Sequence, residues 1–156
     1  MQVKKSLEIT LTTIHLGSVK RVVTLGIDGK DLAHEYLLKL GKSNQQGLQS
    51  ILKRLKAIAE HESIENQITY RHVGEQVFEV KTKSGLRFYT FWDEIKGIGH
   101  QLIIATSGGK KGNKKEQNAD IANAKALRKS YLAAKSQATT TLNLIPLPNE
   151  DQDHQA

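Results

Sequence analysis

The chain has no cysteine. Disulfides and thiolate metal sites are therefore excluded, and the absence fits a cytoplasmic protein. No apolar run approaches the roughly 18 residues of a membrane span, so no membrane partner is expected. The stretch MQVKKSLEITLTTIHLG has two lysines but neither a long apolar core nor a small-residue cleavage site, so it does not read as a signal peptide. The six histidines are scattered without ligand-like spacing. Neither a metal site nor a cofactor is expected. Lys and Arg are also missing from the end of the chain, where Glu150, Asp151 and Asp153 lie.

What is present is positive charge. The 156 residues carry a formal net charge of +7, with a pI near 9.6. Without the acidic end the body is more basic still, which points to an anionic partner, nucleic acid first. Hydrophobic residues at 38% and charged residues at 25% are ordinary for a soluble domain. The length suits one domain with a full core. We expect that domain over residues 1–138, with 1–19 as an extension or extra strand. Residues 139–156, rich in Thr, Asn, Pro and acids, read as a poorly ordered tail.

Residues 20–27, KRVVTLGI, read as a strand, and Asp28-Gly29 as a turn. Asp31 is placed to cap a helix, DLAHEYLLKL, with Leu32, Tyr36, Leu37 and Leu40 near one face and Gly41 ending it. Ser43 or Asn44 starts a second helix, QQGLQSILKRLKAIAEHE, with an apolar stripe through Leu48, Ile51, Leu52, Leu55, Ile58 and Ala59. The short connector predicts a helical hairpin. From Ile68 the period changes to two. Ile68 to Arg71, Val77 to Lys81, Leu86 to Trp92 and His100 to Thr106 read as strands, the last being the most apolar and central. A third helix over 117–135 buries Ile121, Ala124, Leu127, Leu132 and Tyr131. The order predicts an α+β fold: an N-terminal strand, a helical hairpin, an antiparallel sheet of about four to five strands and a C-terminal helix. The helices pack on one sheet face and leave the other available.

The stretch from Gln76 to Lys115 carries the chemistry. Lys83-Ser84-Gly85 makes a three-residue hairpin loop, with Gly85 taking the left-handed conformation. In that register Phe78 faces Thr90, Val80 faces Phe88, and Lys81 faces Arg87 across the pair. A two-residue Ser84-Gly85 loop would instead put Lys81 on the opposite face from Arg87. Two cations directly opposite each other destabilise a sheet, and a bound phosphate would relieve them. The alternative is two long side chains splayed into water.

That order of elements, with these residues, resembles the RelE-like toxins of bacterial toxin–antitoxin pairs, and within them the HigB-like, phage-derived branch. Three segments carry the likeness over roughly residues 20–135. They are Val77 to Lys81 followed by Ser84 to Tyr89, Leu102 to Ala105 leading into the Lys110–Lys115 loop, and Asp120 to Tyr131. The resemblance implies a metal-independent endoribonuclease that cleaves mRNA, commonly on the ribosome. The ribose 2′-OH attacks the adjacent phosphorus, leaving a cyclic phosphate and a 5′-OH. It implies Arg87 as phosphate and transition-state binder. Lys81 becomes base or electrostatic partner. Lys110 or Lys111 becomes the loop cation, and Lys83, Lys114 and Lys115 become contacts to RNA. It also implies a cognate antitoxin protein as partner. The chain departs from the family pattern at Glu79, where some members carry a second basic residue. No acid is assigned, because Tyr131 lies inside a helix and His154 in the tail. Two other functions remain open: a ParE-like inhibitor of DNA gyrase on the same fold, and a basic nucleic-acid-binding module without toxicity.

Overall fold

The computed structural model describes residues 7–60, 70–110 and 112–150. The described elements run β1 Glu8–Leu16, β2 Lys20–Ile27, α1 Leu32–Ser43, α2 Gln45–Ala59, β3 Tyr70–Gly74, β4 Val77–Lys81, β5 Arg87–Asp93, β6 Gln101–Gly109, α3 Lys114–Lys135 and β7 Thr141–Ile145. The strands form one sheet in the order β3-β4-β5-β6-β2-β1-β7. Neighbours are antiparallel except β2–β6 and β1–β7, which are parallel. The class is α+β, but the expected antiparallel sheet of about four to five strands is wrong: the sheet is mixed and seven-stranded.

Two of the extra strands come from segments with weak strand signals. Residues 7–14 were open between an extension and a strand, and they belong to β1, which pairs with β2 from Ile9↔Ile27 to Leu16↔Arg21. The expected tail supplies β7, paired from Glu8↔Thr141 to Thr12↔Ile145. Leu142 and Leu144, two apart, pack against the core. Beyond β7, Glu150 makes a two-pronged ion pair with the largely buried Arg21, at 2.9 and 2.8 Å. Residues 151–156 lie outside the described part, as do Ile68 and Thr69 of the expected strand at 68–71.

The helices do not share one face. Val22, Ile103 and Ala105 pack with α1 and α2 residues such as Leu37, Leu40, Ile51 and Leu55. Their chain neighbours Val23, Leu102 and Ile104 point the other way and pack with Tyr131 and Ala134 of α3. The face expected to be available is therefore covered. The unbroken apolar run Leu102-Ile103-Ile104-Ala105 suits a strand buried on both sides.

Local capping explains the helix boundaries. Asp31 accepts from the His34 N–H at 2.8 Å, and Asn44 accepts from the Gly47 N–H at 2.9 Å. Asn44 closes α1 and opens α2, so Gly41 lies within α1 and does not end it. Asn113 caps α3 through the Glu116 N–H at 2.8 Å. On α3 the buried residues are Ala124, Tyr131 and Ala134. Leu132 was expected inside but is 36% exposed, because helical spacing from Ala124 reaches Tyr131 and rotates Leu132 away.

Candidate functional site

The central hairpin has the three-residue loop and its register. Phe78 faces Thr90, Glu79 faces Tyr89, Val80 faces Phe88 and Lys81 faces Arg87. Gly85 adopts φ 95, a conformation open to glycine without a Cβ clash. On its other side Arg87 pairs with Gly109, and Lys110 follows immediately. Lys81 and Arg87 therefore lie opposite each other, and Lys110 follows at the same end of the strands, where β6 ends. Lys83 is exposed in the hairpin loop, and Lys114 and Lys115 are exposed in the first turn of α3. Lys111 lies outside the described residues.

Arg87 is not splayed into water. It is 8% exposed and lies beneath α3 with Glu79, which is 1% exposed. Glu79 Oε2 accepts from Arg87 at 3.3 Å, from the Tyr89 hydroxyl at 3.2 Å and from the Gln117 amide at 3.3 Å. Glu79 Oε1 accepts from Arg71 at 3.2 Å. The repulsion between Lys81 and Arg87 is thus relieved by a carboxylate within the chain, where the sequence reading invoked a bound phosphate. The Arg87 Nε is buried without a hydrogen-bond partner among the described residues, so the guanidinium keeps unused donor capacity. Burial, the Glu79 charge and its hydrogen bond push the Tyr89 phenol well above its ordinary value of 10.0.

A second carboxylate completes the cluster. Asp120 stands one turn along α3 from Gln117, over the end of β6. Its Oδ2 lies 2.5 Å from where a side-chain carbon on Gly109 would stand, so the carboxylate sits directly over the end of β6. Burial first, and then the Glu116 charge, raise the Asp120 pKa above 3.8, while Arg87 opposes them. From α1, the Tyr36 hydroxyl donates to the Gly109 carbonyl at 2.7 Å. Burial and the Asp120 charge push that phenol up to about 12.

This end of the sheet therefore holds Arg87 with Glu79, Asp120, Tyr36 and Tyr89, and Lys81 and Lys110 stand at the same strand ends. Such a set can bind a phosphoryl group through the guanidinium and exchange a proton through Asp120. The sequence points to the cations of this candidate set and not to its carboxylates. The signal for Glu79 was its place between Val77 and Lys81 in the strand alternation. That for Asp120 was its helical spacing with Gln117 and Ala124. Comparison of the chain with protein-family models, curated proteins and solved structures returned no match.

Proposed function

We propose that this chain is a cytoplasmic RelE-like toxin of the HigB-like kind, an endoribonuclease that cleaves mRNA on the ribosome without a metal and is restrained by a cognate antitoxin. One observation supports this above the others: Arg87 stands at a cation-rich end of the strands, its buried Nε without a partner among the described residues, and the Asp120 carboxylate is close to the same strand end. Its 3.3 Å bond to Glu79 is longer than the roughly 2.7–2.9 Å of strong charge-assisted pairs. A phosphate oxygen therefore competes readily for the guanidinium.

In this reading Arg87 holds the non-bridging phosphoryl oxygens and stabilises their developing charge. Asp120 takes the 2′-OH proton as O2′ bonds to phosphorus. The bond from phosphorus to O5′ breaks, and the Lys81 ammonium gives O5′ its proton. A carboxylate with a raised pKa is a better base near neutral pH than an ordinary one. Lys110, Lys114 and Lys115 contact the RNA backbone. Lysines in the first turn of a helix oppose its dipole, a cost that an anionic partner offsets.

The test is brief induced expression of wild type and Arg87→Ala in a bacterial host, with transcript ends mapped. New 5′-OH ends in translated messages, lost in the variant, are expected. Cleavage that survives Arg87→Ala would refute the site. The burial of Arg87 against Glu79 favours a second reading, a ParE-like gyrase inhibitor that needs no cleaving cluster. Growth arrest with intact transcripts and accumulating DNA breaks would select it. Harmless overexpression would select a nucleic-acid-binding module without toxicity.

A further inference from the structure

The described sheet ends on β3 at one side and on β7 at the other, and the two edges differ. β3 is guarded. It carries the exposed Arg71 and a bulge between His72 and Gly74, a charge and an irregularity of the kind that keep foreign strands from an edge. β7 has neither. Residues 136–149 contain no Asp, Glu, Lys or Arg, in a chain of which 25% is charged. β7 pairs with β1 without a break from Thr141 to Ile145, and Ile145 is 46% exposed.

The hydrogen-bonding phase of the outer edge follows from the inner one. The Thr141 N–H donates to the Leu7 carbonyl at 2.9 Å, so the backbone groups of Thr141, Asn143 and Ile145 point toward β1. Those of Leu142 and Leu144 alternate with them and point outward. The side chains alternate as well. Leu142 and Leu144 pack on the core layer that holds Tyr131 and Ala134 of α3. Thr141, Asn143 and Ile145 are exposed on the opposite face.

Such an edge is complementary to itself. A two-fold axis at Asn143 sets Leu142 of one copy opposite Leu144 of the other, and each such pair exchanges the N–H and carbonyl groups that point outward. The leucines then continue one apolar layer across the junction. On the other face Ile145 meets Thr141 of the second copy, a β-branched cross-strand pair, and Asn143 meets its own counterpart. This register pairs the whole of Thr141–Ile145; any other pairs less of it, and Pro146 ends the run because it has no N–H to offer. Two copies of a chain with net charge +7 repel each other, and an uncharged edge is where they approach at least cost. We infer that β7 is the docking edge for a second copy of this chain, an antiparallel junction with two-fold symmetry. The junction is short, which makes the dimer reversible. It is independent of the chemistry at Arg87.

The lack of cysteine makes position-specific cross-linking the test. Full chains carrying Asn143→Cys or Thr141→Cys, both at exposed positions, are oxidised mildly at high concentration. Asn143 faces its counterpart in a non-hydrogen-bonded pair, where Cα atoms stand about 4.5 Å apart, within the span of a disulfide. The Asn143→Cys chain is expected to form a linked dimer about tenfold faster than the Thr141→Cys chain, whose thiol faces Ile145 instead. Equal rates would overturn the proposal. Sedimentation equilibrium of the wild type from about 1 μM to about 1 mM is expected to show reversible dimerisation, and a monomer throughout would overturn it. Asn143→Lys, which sets two ammonium groups face to face, is expected to stay monomeric, and mixing it with Asn143→Glu is expected to restore a dimer. A folded Asn143→Lys chain that dimerises like the wild type would place the contact elsewhere. The cross-linking rates decide the matter even if the lysine variant folds poorly.

Discussion

Glu79→Ala removes the carboxylate that accepts from Arg71, Arg87, Tyr89 and Gln117. Arg87 is then a buried charge without its counter-charge, and the Tyr89 hydroxyl loses its acceptor. Breaking a buried ion pair by removing one partner costs about 3–5 kcal/mol. Two features pull this case toward the lower end. The bonds are long, at 3.2–3.3 Å, and Arg71 is half exposed and regains water. A loss of about 3 kcal/mol is expected, or about 6–12 °C in melting temperature for a chain of this size. Urea unfolding at neutral pH measures the free energy directly. Arg87→Met should cost less, because Glu79 keeps three donors. The double variant Glu79→Ala with Arg87→Met should lose about 2 kcal/mol less than the two single losses combined, since it leaves no orphaned charge at Arg87. A Glu79→Ala loss below about 1 kcal/mol, or simple additivity in the double variant, would show that water reaches this cluster and that the burial argument fails.

Asp120 binds its proton more tightly in the folded chain than in the unfolded one, so its ionisation costs stability as pH rises from 3.8 through the raised value. Asp120→Asn should therefore raise the melting temperature at neutral pH, leave it unchanged near pH 3, and abolish transcript cleavage. Glu150 has the opposite sign: the hydrogen bonds from Arg21 hold its pKa below 4.5. Its stabilisation is complete above that value and disappears as pH falls through the lower folded value. The melting temperatures of wild type and Glu150→Gln should differ at about pH 6, and the difference should shrink as pH falls below 4.5. Gly17→Ala would place a methyl 2.6 Å from the Ala59 carbonyl oxygen and 2.7 Å from its Cβ. That contact is backbone and yields little, so urea unfolding should show a loss of about 1–3 kcal/mol.

The hairpin register was legible because it depends on neighbours in sequence: a period of two on each side and a glycine where the loop needs one. The helix starts were legible for the same reason, through Asp31 and Asn44. The position of α3 was not, because its buried face is mostly alanine and gives little periodic signal. The clue lay in β6, whose apolar run requires cover on both sides. β7 was missed because composition outweighed pattern: the alternation of Leu142 and Leu144 is present in a segment otherwise typical of tails. The cations of the candidate site stand out in the sequence by type and spacing. Glu79 and Asp120 do not, because their meaning comes from which strand and helix face Arg87, and that is fixed by long-range packing.

The pairing of β7 with β1 also has a consequence for how the chain is made. Arg21 and Glu150 are 129 residues apart, and β7 leaves the ribosome after every other strand of the sheet. Until then the outer edge of β1 has unpaired backbone groups, and any extended segment of another chain can occupy it. During synthesis the nascent chain is thus exposed to capture at an edge that the finished molecule closes with its own later residues. Slower elongation through residues 136–150 prolongs that exposure, which makes the yield of the closed fold depend on translation speed as well as on stability.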